Sequence, residues 1–289
     1  MYYTMAKDTF LNRKTTLNLK GKLADLSRPA VMAILNLTPD SFYNNSRVGT
    51  ADDALKRTET FLNEGAKYID IGAYSSRPGA AEVSTDEELN RIVPIVELLS
   101  KEFPEAWLSI DTFRAKVAKE SIEAGAHLIN DIAGGGMDEA MFQTIADLQV
   151  PYILMHMRGT PQTMQQQTGY TDIGLDLVDY FSSRVAELHK LGAKDIILDP
   201  GFGFAKTTDE NYRLLNHLED LDVFELPVLV GFSRKSMIYK FLGGGPAEAL
   251  NGTSVLNTIA LMKGAGILRV HDVKAAAECI ALVEKTRLY

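Results

Sequence analysis

Short apolar runs that end on a polar residue recur along the whole chain. Their length and their content of Ile, Leu and Val are typical of strands buried on both faces. If all eight runs are parallel strands of one barrel, their polar ends meet at the same mouth. The runs are Val31–Leu35 before Asn36, Ile69 before Asp70, Leu108–Ile110 before Asp111, Leu128–Ile129 before Asn130, Tyr152–Met155 before His156, Ile196–Leu198 before Asp199, Val228–Phe232 before Ser233, Arg234 and Lys235, and Ile267–Val270, which contains Arg269 and precedes His271.

Segments with apolar residues at helical spacing lie between these runs. Strict alternation of strand and helix implies a parallel sheet. Eight such units, each about 32 residues long, favour an α/β protein with a single closed (β/α)8 TIM barrel over an open doubly wound sheet. Pro94 lies inside the second predicted helix and is expected to kink it or to end its first part. The predicted helices span residues 51–64, 86–103, 112–125, 138–148, 173–191, 236–242, 247–263 and 273–285, with a further helix that starts at Asp209.

The segment before the first barrel strand has a different pattern. Residues Thr16–Leu26 alternate apolar and polar side chains around Gly21 and predict a β-hairpin. The hairpin belongs to an N-terminal extension, residues 1–29. No linker-like stretch divides the rest of the chain, so we expect residues 1–289 to form one domain.

Composition narrows the range of partners. The 289 residues carry a formal net charge of −8, so no overall basic field attracts nucleic acid. The single cysteine, Cys279, excludes a disulfide framework and fits a reducing compartment. No apolar stretch has the length of a membrane span, and the N-terminal segment lacks the apolar centre of a signal peptide. We therefore expect a cytoplasmic protein that binds small molecules and neither membranes nor nucleic acid.

A glycine-rich segment, Gly201–Thr207, follows the sixth run and is similar to a phosphate-binding loop. Ala205 breaks the P-loop pattern, and Lys206 stands where the third glycine of a dinucleotide-binding fingerprint would be. We therefore interpret the segment as a tight turn that presents Phe204 to the mouth.

Carboxylate and amide side chains dominate several of the predicted strand ends. A single Asp at such a place is as readily explained by a helix cap or a loop hydrogen bond. Asp70, Asp111 and Asp199, together with Asn36 and Asn130, instead predict a cavity rich in hydrogen-bond acceptors. Such a cavity suits a metal or a ligand rich in N–H donors, such as a guanidine-like group or a pterin edge.

Basic residues cluster after the second and seventh runs and in the eighth. Arg269 lies between Leu268 and Val270, and a guanidinium inside an apolar strand needs an anionic partner. With Arg77, Lys235 and His271 it predicts a site for a phosphorylated ligand, since barrels of this kind often bind phosphate near strands seven and eight. Asn36 is a candidate ligand of Mg²⁺ that shares the phosphate charge.

Other polar residues are interpreted as structural or solvent-exposed. Arg234 is expected to be an exposed charge, and His189 and His217 lie on predicted amphipathic helices. No histidine pair has the spacing of a zinc site. Strand five, with Met155 before His156, is expected to form a pocket wall rather than to supply a catalytic base.

Eight segments in order resemble the motifs of the dihydropteroate synthases. The resemblance runs from Ala30 to the end of the chain. The matching segments are Ile34-Leu-Asn-Leu-Thr-Pro-Asp-Ser-Phe42, Asp70-Ile-Gly with Ser76-Arg-Pro-Gly79, Ser109-Ile-Asp-Thr112, Ile129-Asn-Asp131, Leu154-Met-His-Met157, Leu198-Asp-Pro-Gly-Phe-Gly-Phe204, Gly231-Phe-Ser-Arg-Lys-Ser236 and Arg269-Val-His-Asp272.

The resemblance implies a Mg²⁺-dependent transferase of folate synthesis, acting as a homodimer. It would join 6-hydroxymethyl-7,8-dihydropterin pyrophosphate to p-aminobenzoate by a dissociative displacement, with Asp111, Lys235 and Arg269 as catalytic residues. The implied pterin site is Asp111, Asn130, Met155, Asp199 and Lys235; the pyrophosphate site is Asn36, Arg77, Arg269 and His271, with Asn36 on the metal; and the p-aminobenzoate site is Ser76, Arg77, Pro78, Phe204 and Ser233.

Two positions depart from the commonest family pattern. Ala73-Tyr74 stands where Gly-Glu is usual, and Ser76 stands where Thr is usual. Both changes bear on the p-aminobenzoate site and on sulfonamides that mimic this substrate. The loops Tyr43–Val48 and Met157–Thr171 are expected to move, the first of them closing over the substrates.

Three other functions fit parts of the same pattern. A pterin-binding methyltransferase domain would share the carboxylates but would not need the phosphate-binding set. A phosphosugar aldolase would use Lys235 as a Schiff base, but that lysine would be expected inside a strand. A silent scaffold would lack one or more of the site residues, and this chain has all of them.

Overall fold

The fold is described from a computed structural model over residues 13–37, 51–74 and 83–288. Two short strands precede the eight strands of the barrel, and helices follow the barrel strands. The strands are β1 (Thr16–Leu19), β2 (Lys22–Asp25), β3 (Ala30–Asn36), β4 (Ala66–Gly72), β5 (Trp107–Asp111), β6 (Leu128–Asp131), β7 (Tyr152–Met155), β8 (Ile196–Asp199), β9 (Leu229–Val230) and β10 (Ile267–Val270). The helices are α1 (Ala51–Asn63), α2 (Thr85–Glu102), α3 (Ala115–Glu123), α4 (Met141–Leu148), α5 (Ile173–Leu191), α6 (Thr208–Asn216), α7 (Ser236–Leu242), α8 (Leu250–Met262) and α9 (Val273–Arg287).

Strands β3 to β10 form one parallel sheet in the order β8-β7-β6-β5-β4-β3-β10-β9. A parallel bridge between Leu198 and Val228 brings the two edge strands together and closes the barrel. The predicted (β/α)8 architecture is therefore confirmed. Closure places the carboxyl ends of all eight strands at one mouth.

Helix boundaries follow local capping chemistry, and the start of α3 differs from the sequence-based boundary. The hydroxyl of Thr207 and the carboxylate of Glu210 form a capping box at the start of α6. Pro94 lies inside α2 without ending it. The helix predicted over residues 112–125 starts later, after Arg114, and the Thr112 hydroxyl accepts from the Arg114 N–H.

The N-terminal hairpin closes the end of the barrel opposite the mouth. Strands β1 and β2 pair antiparallel, as predicted. Leu17 and Leu19 are fully buried and pack with the first residues of several barrel strands, among them Ala30 and Ile267. The hairpin thus shields the lower layer of the barrel from water.

Replacing Leu19 with Ala is expected to lower the free energy of unfolding by about 2–5 kcal/mol, because a fully buried leucine is lost from this layer. Leu23 lies on the same hairpin but is 73% exposed, so Leu23→Ala should change stability by less than about 0.5 kcal/mol. Urea unfolding of both variants measures the difference. Equal losses in the two variants would show that the hairpin does not seal the barrel.

No helix within the three described ranges is long and apolar enough to cross a membrane.

Candidate active site

An ion-paired triad spans the mouth of the barrel. The Arg269 guanidinium on β10 donates from Nε to Asp70 Oδ2 on β4 and from Nη2 to Asp111 Oδ2 on β5, each at 2.6 Å. Burial alone would lower the pKa of Arg269, but the two carboxylates raise it above its usual range. Arg269 thus has the anionic partner that its place in an apolar strand demanded. That partner is a pair of carboxylates within the protein.

Asn130 extends this triad toward the next strand. Its Nδ2 donates to Asp70 Oδ2 at 2.9 Å, and the residue is 2% exposed. Its Oδ1, the other oxygen of Asp70 and the hydroxyl of Ser109 have no hydrogen-bond partner among the residues that the structure describes. Buried acceptors without partners are costly unless a ligand supplies donors. The mouth therefore suits a ligand with several N–H groups.

Asp111 is the more exposed of the two carboxylates in this triad: its side chain is 19% exposed, whereas that of Asp70 is fully buried. Gly72 faces it across the sheet, where a Cβ atom would lie 3.3 Å from the Cβ of Asp111. Burial raises the pKa of Asp111 to about 7, and the Arg269 charge opposes the shift. The charge of Asp111 therefore changes near neutral pH.

Asp199 and Lys235 are two further charged groups at the mouth, and they interact electrostatically. Asp199 ends β8 and accepts from the Gly201 N–H at 2.7 Å. Burial raises the pKa of Asp199, and the Lys235 ammonium opposes this. Burial likewise lowers the pKa of Lys235 to about 8, opposed by Asp199. Its Nζ donates to the carbonyl of Phe202. The pair offers both an acceptor and a cation to a bound ligand.

An apolar cluster lines the mouth between these charged groups. Met155 is 2% exposed and lies in this cluster with Phe113 and Ala205, while Phe204 packs against it from the side. The ring of Phe204 lies 4.8 Å from Lys235 Nζ. The predictions that Met155 is a pocket wall and that Phe204 faces the mouth fit this arrangement.

Ser233 and His271 are joined by hydrogen bonds. The hydroxyl of Ser233 accepts from the His271 N–H at 3.1 Å and lies 2.9 Å from His271 Nδ1. Because the hydroxyl already accepts one bond there, it can donate to Nδ1, which places the proton of a neutral ring on Nε2. The two residues therefore act as one unit, linking the loop after β9 to the end of β10.

Arg234 is not the exposed charge that the sequence suggested. Its side chain is 8% exposed and forms a bidentate ion pair with Asp272, both bonds at 2.9 Å. Its Nη1 also donates to the carbonyls of Pro246 and Ala247 at 2.8 Å. Arg234 therefore ties the loops after β9 and β10 together.

Asn36 ends β3 and pairs in register with Gly72 of β4. No group of three histidine, cysteine or acidic side chains that could hold a metal occurs in the part of the chain described. Mg²⁺, however, usually takes one or two protein oxygens together with phosphate oxygens and water. The single amide oxygen of Asn36 fits a metal that arrives with a phosphorylated ligand.

The remaining predicted residues fall into two groups. Ser76, Arg77, Pro78 and the loop Tyr43–Val48 lie outside the described residues. His189 and His217 are exposed, as expected.

The sequence did not indicate that two buried residues of the mouth, Lys206 and His156, contact each other. Lys206 is 5% exposed and His156 is 2% exposed. The Lys206 ammonium lies 3.0 Å from His156 Nδ1 and donates to the carbonyls of Gly201 and Phe204, each at 3.1 Å. The glycine-rich motif around Lys206 was the only signal in the sequence, and it does not show that the lysine turns inward.

Comparison with known proteins gives a consistent result. Residues 32–271 match the family of pterin binding enzymes. The dihydropteroate synthase of Escherichia coli is 46% identical over 269 residues, which cover 92% of this chain and 95% of the relative. That of Haemophilus influenzae is 41% identical over 268 residues, 92% of this chain and 97% of the relative.

Solved structures agree with the sequence comparisons. The Yersinia pestis dihydropteroate synthase, solved as a complex with a sulfonamide drug, has a TM-score of 0.91 at 46% identity and covers 95% of this chain and 100% of its own. The Xanthomonas albilineans dihydropteroate synthase, solved with 4-aminobenzoic acid, has a TM-score of 0.87 at 34% identity and covers 95% of this chain and 99% of its own. The chain therefore belongs to the dihydropteroate synthase family of pterin-binding enzymes and is a transferase.

Proposed function

We propose how this chain carries out the reaction of its family in folate synthesis, the joining of 6-hydroxymethyl-7,8-dihydropterin pyrophosphate to p-aminobenzoate. The products are 7,8-dihydropteroate and pyrophosphate. The observation that carries the proposal is the division of one mouth into an acceptor-rich side and a cationic side, linked by the ion pairs of Arg269.

The acceptor-rich side binds the pterin. Asp111, Asn130 and Asp199 accept from the N–H groups along the pterin edge, and Lys235 donates to a ring acceptor. The orphaned Oδ1 of Asn130 supports this assignment, because a pterin N–H satisfies it. Met155 supplies an apolar contact for the ring face.

The cationic side binds the pyrophosphate. The two carboxylates hold the Nε and Nη2 donors of Arg269, and a guanidinium has further N–H groups that can reach an anion. Arg77 adds a second cation, His271 can donate from Nε2, and Asn36 would hold the Mg²⁺ ion. When bound, Mg²⁺ stabilises the negative charge that develops on the leaving pyrophosphate.

Phe204 and Ser233 contribute to the p-aminobenzoate site, together with Ser76, Arg77 and Pro78. Phe204 lies at the edge of the apolar cluster, where an aromatic ring can pack against it. The hydroxyl of Ser233 is hydrogen-bonded to His271, which belongs to the pyrophosphate site. This hydrogen bond therefore connects the p-aminobenzoate site to the pyrophosphate site.

The reaction requires no protein nucleophile. The bond from the pterin methylene carbon to the pyrophosphate oxygen breaks, the amino nitrogen of p-aminobenzoate bonds to that carbon, and the nitrogen releases a proton. In the dissociative form of this step, positive charge spreads into the pterin ring before the amine attacks. The Asp111 carboxylate stabilises that charge, and the cations stabilise the departing anion.

Pyrophosphate release tests the proposed function. The purified chain is mixed with the dihydropterin pyrophosphate, p-aminobenzoate and Mg²⁺, and pyrophosphate is measured with and without p-aminobenzoate. Release that depends on p-aminobenzoate supports the proposal and argues against a methyltransferase, an aldolase and a silent scaffold. Absence of that dependence would overturn it.

We further propose that the enzyme acts in the cytoplasm as a homodimer. The lone cysteine and the net charge of −8 suit a reducing compartment and small-molecule partners. Val255, Ile259 and Met262 share one face of α8 and are 50%, 38% and 56% exposed. An apolar face of this kind fits a second copy of the chain.

Val255→Glu is expected to convert the dimer to a monomer, because it places a charge in this apolar face. Leu23→Glu on the distant hairpin, where Leu23 is 73% exposed, should leave the dimer intact. Sedimentation velocity of the wild type and both variants measures the assembly. A wild type that sediments as a monomer would disprove the dimer.

A further inference from the structure

We propose that Lys206 is a positioning residue that fixes the loop between β8 and α6, residues 200–207, and thereby sets the place of Phe204 and Lys235 in the mouth. The inference rests on the proposed function, because it concerns the binding of p-aminobenzoate. Neither the pterin site nor the pyrophosphate site described above uses Lys206.

The ammonium group of Lys206 is fully engaged by the protein. It donates to the carbonyls of Gly201 and Phe204 at 3.1 Å and to His156 Nδ1 at 3.0 Å. A lysine has three N–H donors and no acceptor when charged, so these contacts use all of them. At 5% exposure, Lys206 acts on the loop rather than on a substrate.

His156 anchors this lysine to β7. Its backbone N–H donates to the carbonyl of Asp199 at 2.9 Å, which fixes the residue at the mouth. Burial lowers the pKa of His156 well below its usual value, and the Lys206 charge adds to the effect. The ring is therefore neutral and accepts at Nδ1. Through this contact Lys206 joins the loop after β8 to the neighbouring strand.

The loop needs such anchors because its backbone is unusual. Gly201, Gly203 and Ala205 have φ angles of +68°, +82° and +49°. A Cβ atom at Gly201 would lie 2.1 Å from the carbonyl oxygen of His156, so the loop passes directly against β7. Left-handed residues at alternate positions interrupt a regular backbone ladder, so side-chain hydrogen bonds supply much of the loop's anchoring. Besides Lys206, Asn211 Oδ1 accepts from the Gly203 N–H at 2.6 Å.

The anchored loop presents two groups to the site. The carbonyl of Phe202 accepts from Lys235 Nζ, and the ring of Phe204 lies 4.8 Å from the same atom. A Cβ atom on Gly203 would lie 3.0 Å from Cδ of Lys235, so the loop also packs against the lysine stem. A shift of the loop would therefore move both the aromatic wall and Lys235.

The charge of Lys206 is set by its surroundings. Burial lowers its pKa, the Asp199 carboxylate opposes this, and Lys235 and Arg158 reinforce it; Glu210 also faces the group. On loss of a proton, the amine keeps two N–H donors for the carbonyls, and its lone pair can accept from a His156 Nδ1–H. The loop is therefore held in both protonation states.

Lys206→Met tests the proposal, because methionine keeps an unbranched stem but has no donor. We expect KM for p-aminobenzoate to rise about tenfold, because the Phe204 wall shifts. A smaller fall in kcat, of up to about threefold, is expected because Lys235 shifts with the loop. Lys206→Gln keeps two donors for the two carbonyls and should show a smaller rise in KM. Lys190→Met, the same change at an exposed site on α5, is the matched control and should leave both constants unchanged.

The possible outcomes bear on two claims, the positioning role of Lys206 and the proposed function. An active wild type with unchanged KM in folded Lys206→Met overturns the positioning role. So does a loss confined to kcat, since a displaced wall acts through p-aminobenzoate binding. If Lys206→Met does not fold, Lys206→Gln is read in the same way, and an unchanged KM in that variant overturns the role. A wild type without turnover dependent on p-aminobenzoate instead overturns the proposed function and, with it, this inference.

Discussion

Arg269→Met is expected to lower the free energy of unfolding by about 3–5 kcal/mol, because it leaves the fully buried carboxylate of Asp70 without its countercharge. Asp70 has no exposed surface, so water cannot replace the guanidinium there. Urea unfolding at neutral pH measures the loss.

Two further variants show whether the loss comes from the uncompensated charge. Arg28→Met removes a 78% exposed arginine and should change stability by less than about 0.5 kcal/mol. In the double variant Arg269→Met with Asp70→Asn, the uncompensated charge of Asp70 is gone, so we expect recovery of more than about 1 kcal/mol. A single variant as stable as Arg28→Met would contradict the central place given to this triad.

Asp111→Asn is expected to reduce kcat by about 10²–10³-fold. The amide preserves size and one acceptor but removes the negative charge that we propose stabilises the pterin ring. Steady-state kinetics with both substrates measures the change, and Asp86→Asn, at an 83% exposed aspartate, is the control. Unchanged turnover in a folded Asp111→Asn enzyme would show that this carboxylate does not stabilise the transition state.

The same carboxyl makes activity depend on pH. Asp111, with a pKa of about 7, carries its charge only above that pH, so kcat/KM for the pterin substrate should rise with pH through about 7. Lys235, with a pKa of about 8, loses its charge above that pH, so activity should fall again. Asp111→Asn should abolish the acidic limb and keep the alkaline one. A wild-type profile that is flat from pH 6 to 9 would contradict both assignments.

Much of the fold was predictable from local pattern. Buried parallel strands require continuous apolar runs, and surface helices require apolar residues on one face, so both leave periodic signals. Every predicted barrel strand overlaps an observed one, although β9 is reduced to Leu229–Val230. Pro94 shows the limit, since tertiary packing kept α2 intact across a residue that would end an isolated helix.

The strand-end places of the candidate residues that the structure describes were predictable too, but their partners were not. Arg269 was expected to face an anion, yet its partners Asp70 and Asp111 lie 199 and 158 residues earlier in the chain. Only barrel closure brings β10 beside the strands that carry them. The sequence suggests that Arg234 is exposed and assigns no place to the Lys206 side chain, whereas the loops of the folded protein bury both.

The sequence by itself determined the order of strands and helices, the residues at the mouth and the family. These properties follow from neighbours along the chain and from motifs of a few residues. The tertiary structure alone decided which charges pair, which acceptors remain for a ligand, and how far burial moves the pKa values of Asp111 and Lys235. Those properties depend on distances across the barrel and on the exclusion of water, and both arise only when the sheet closes.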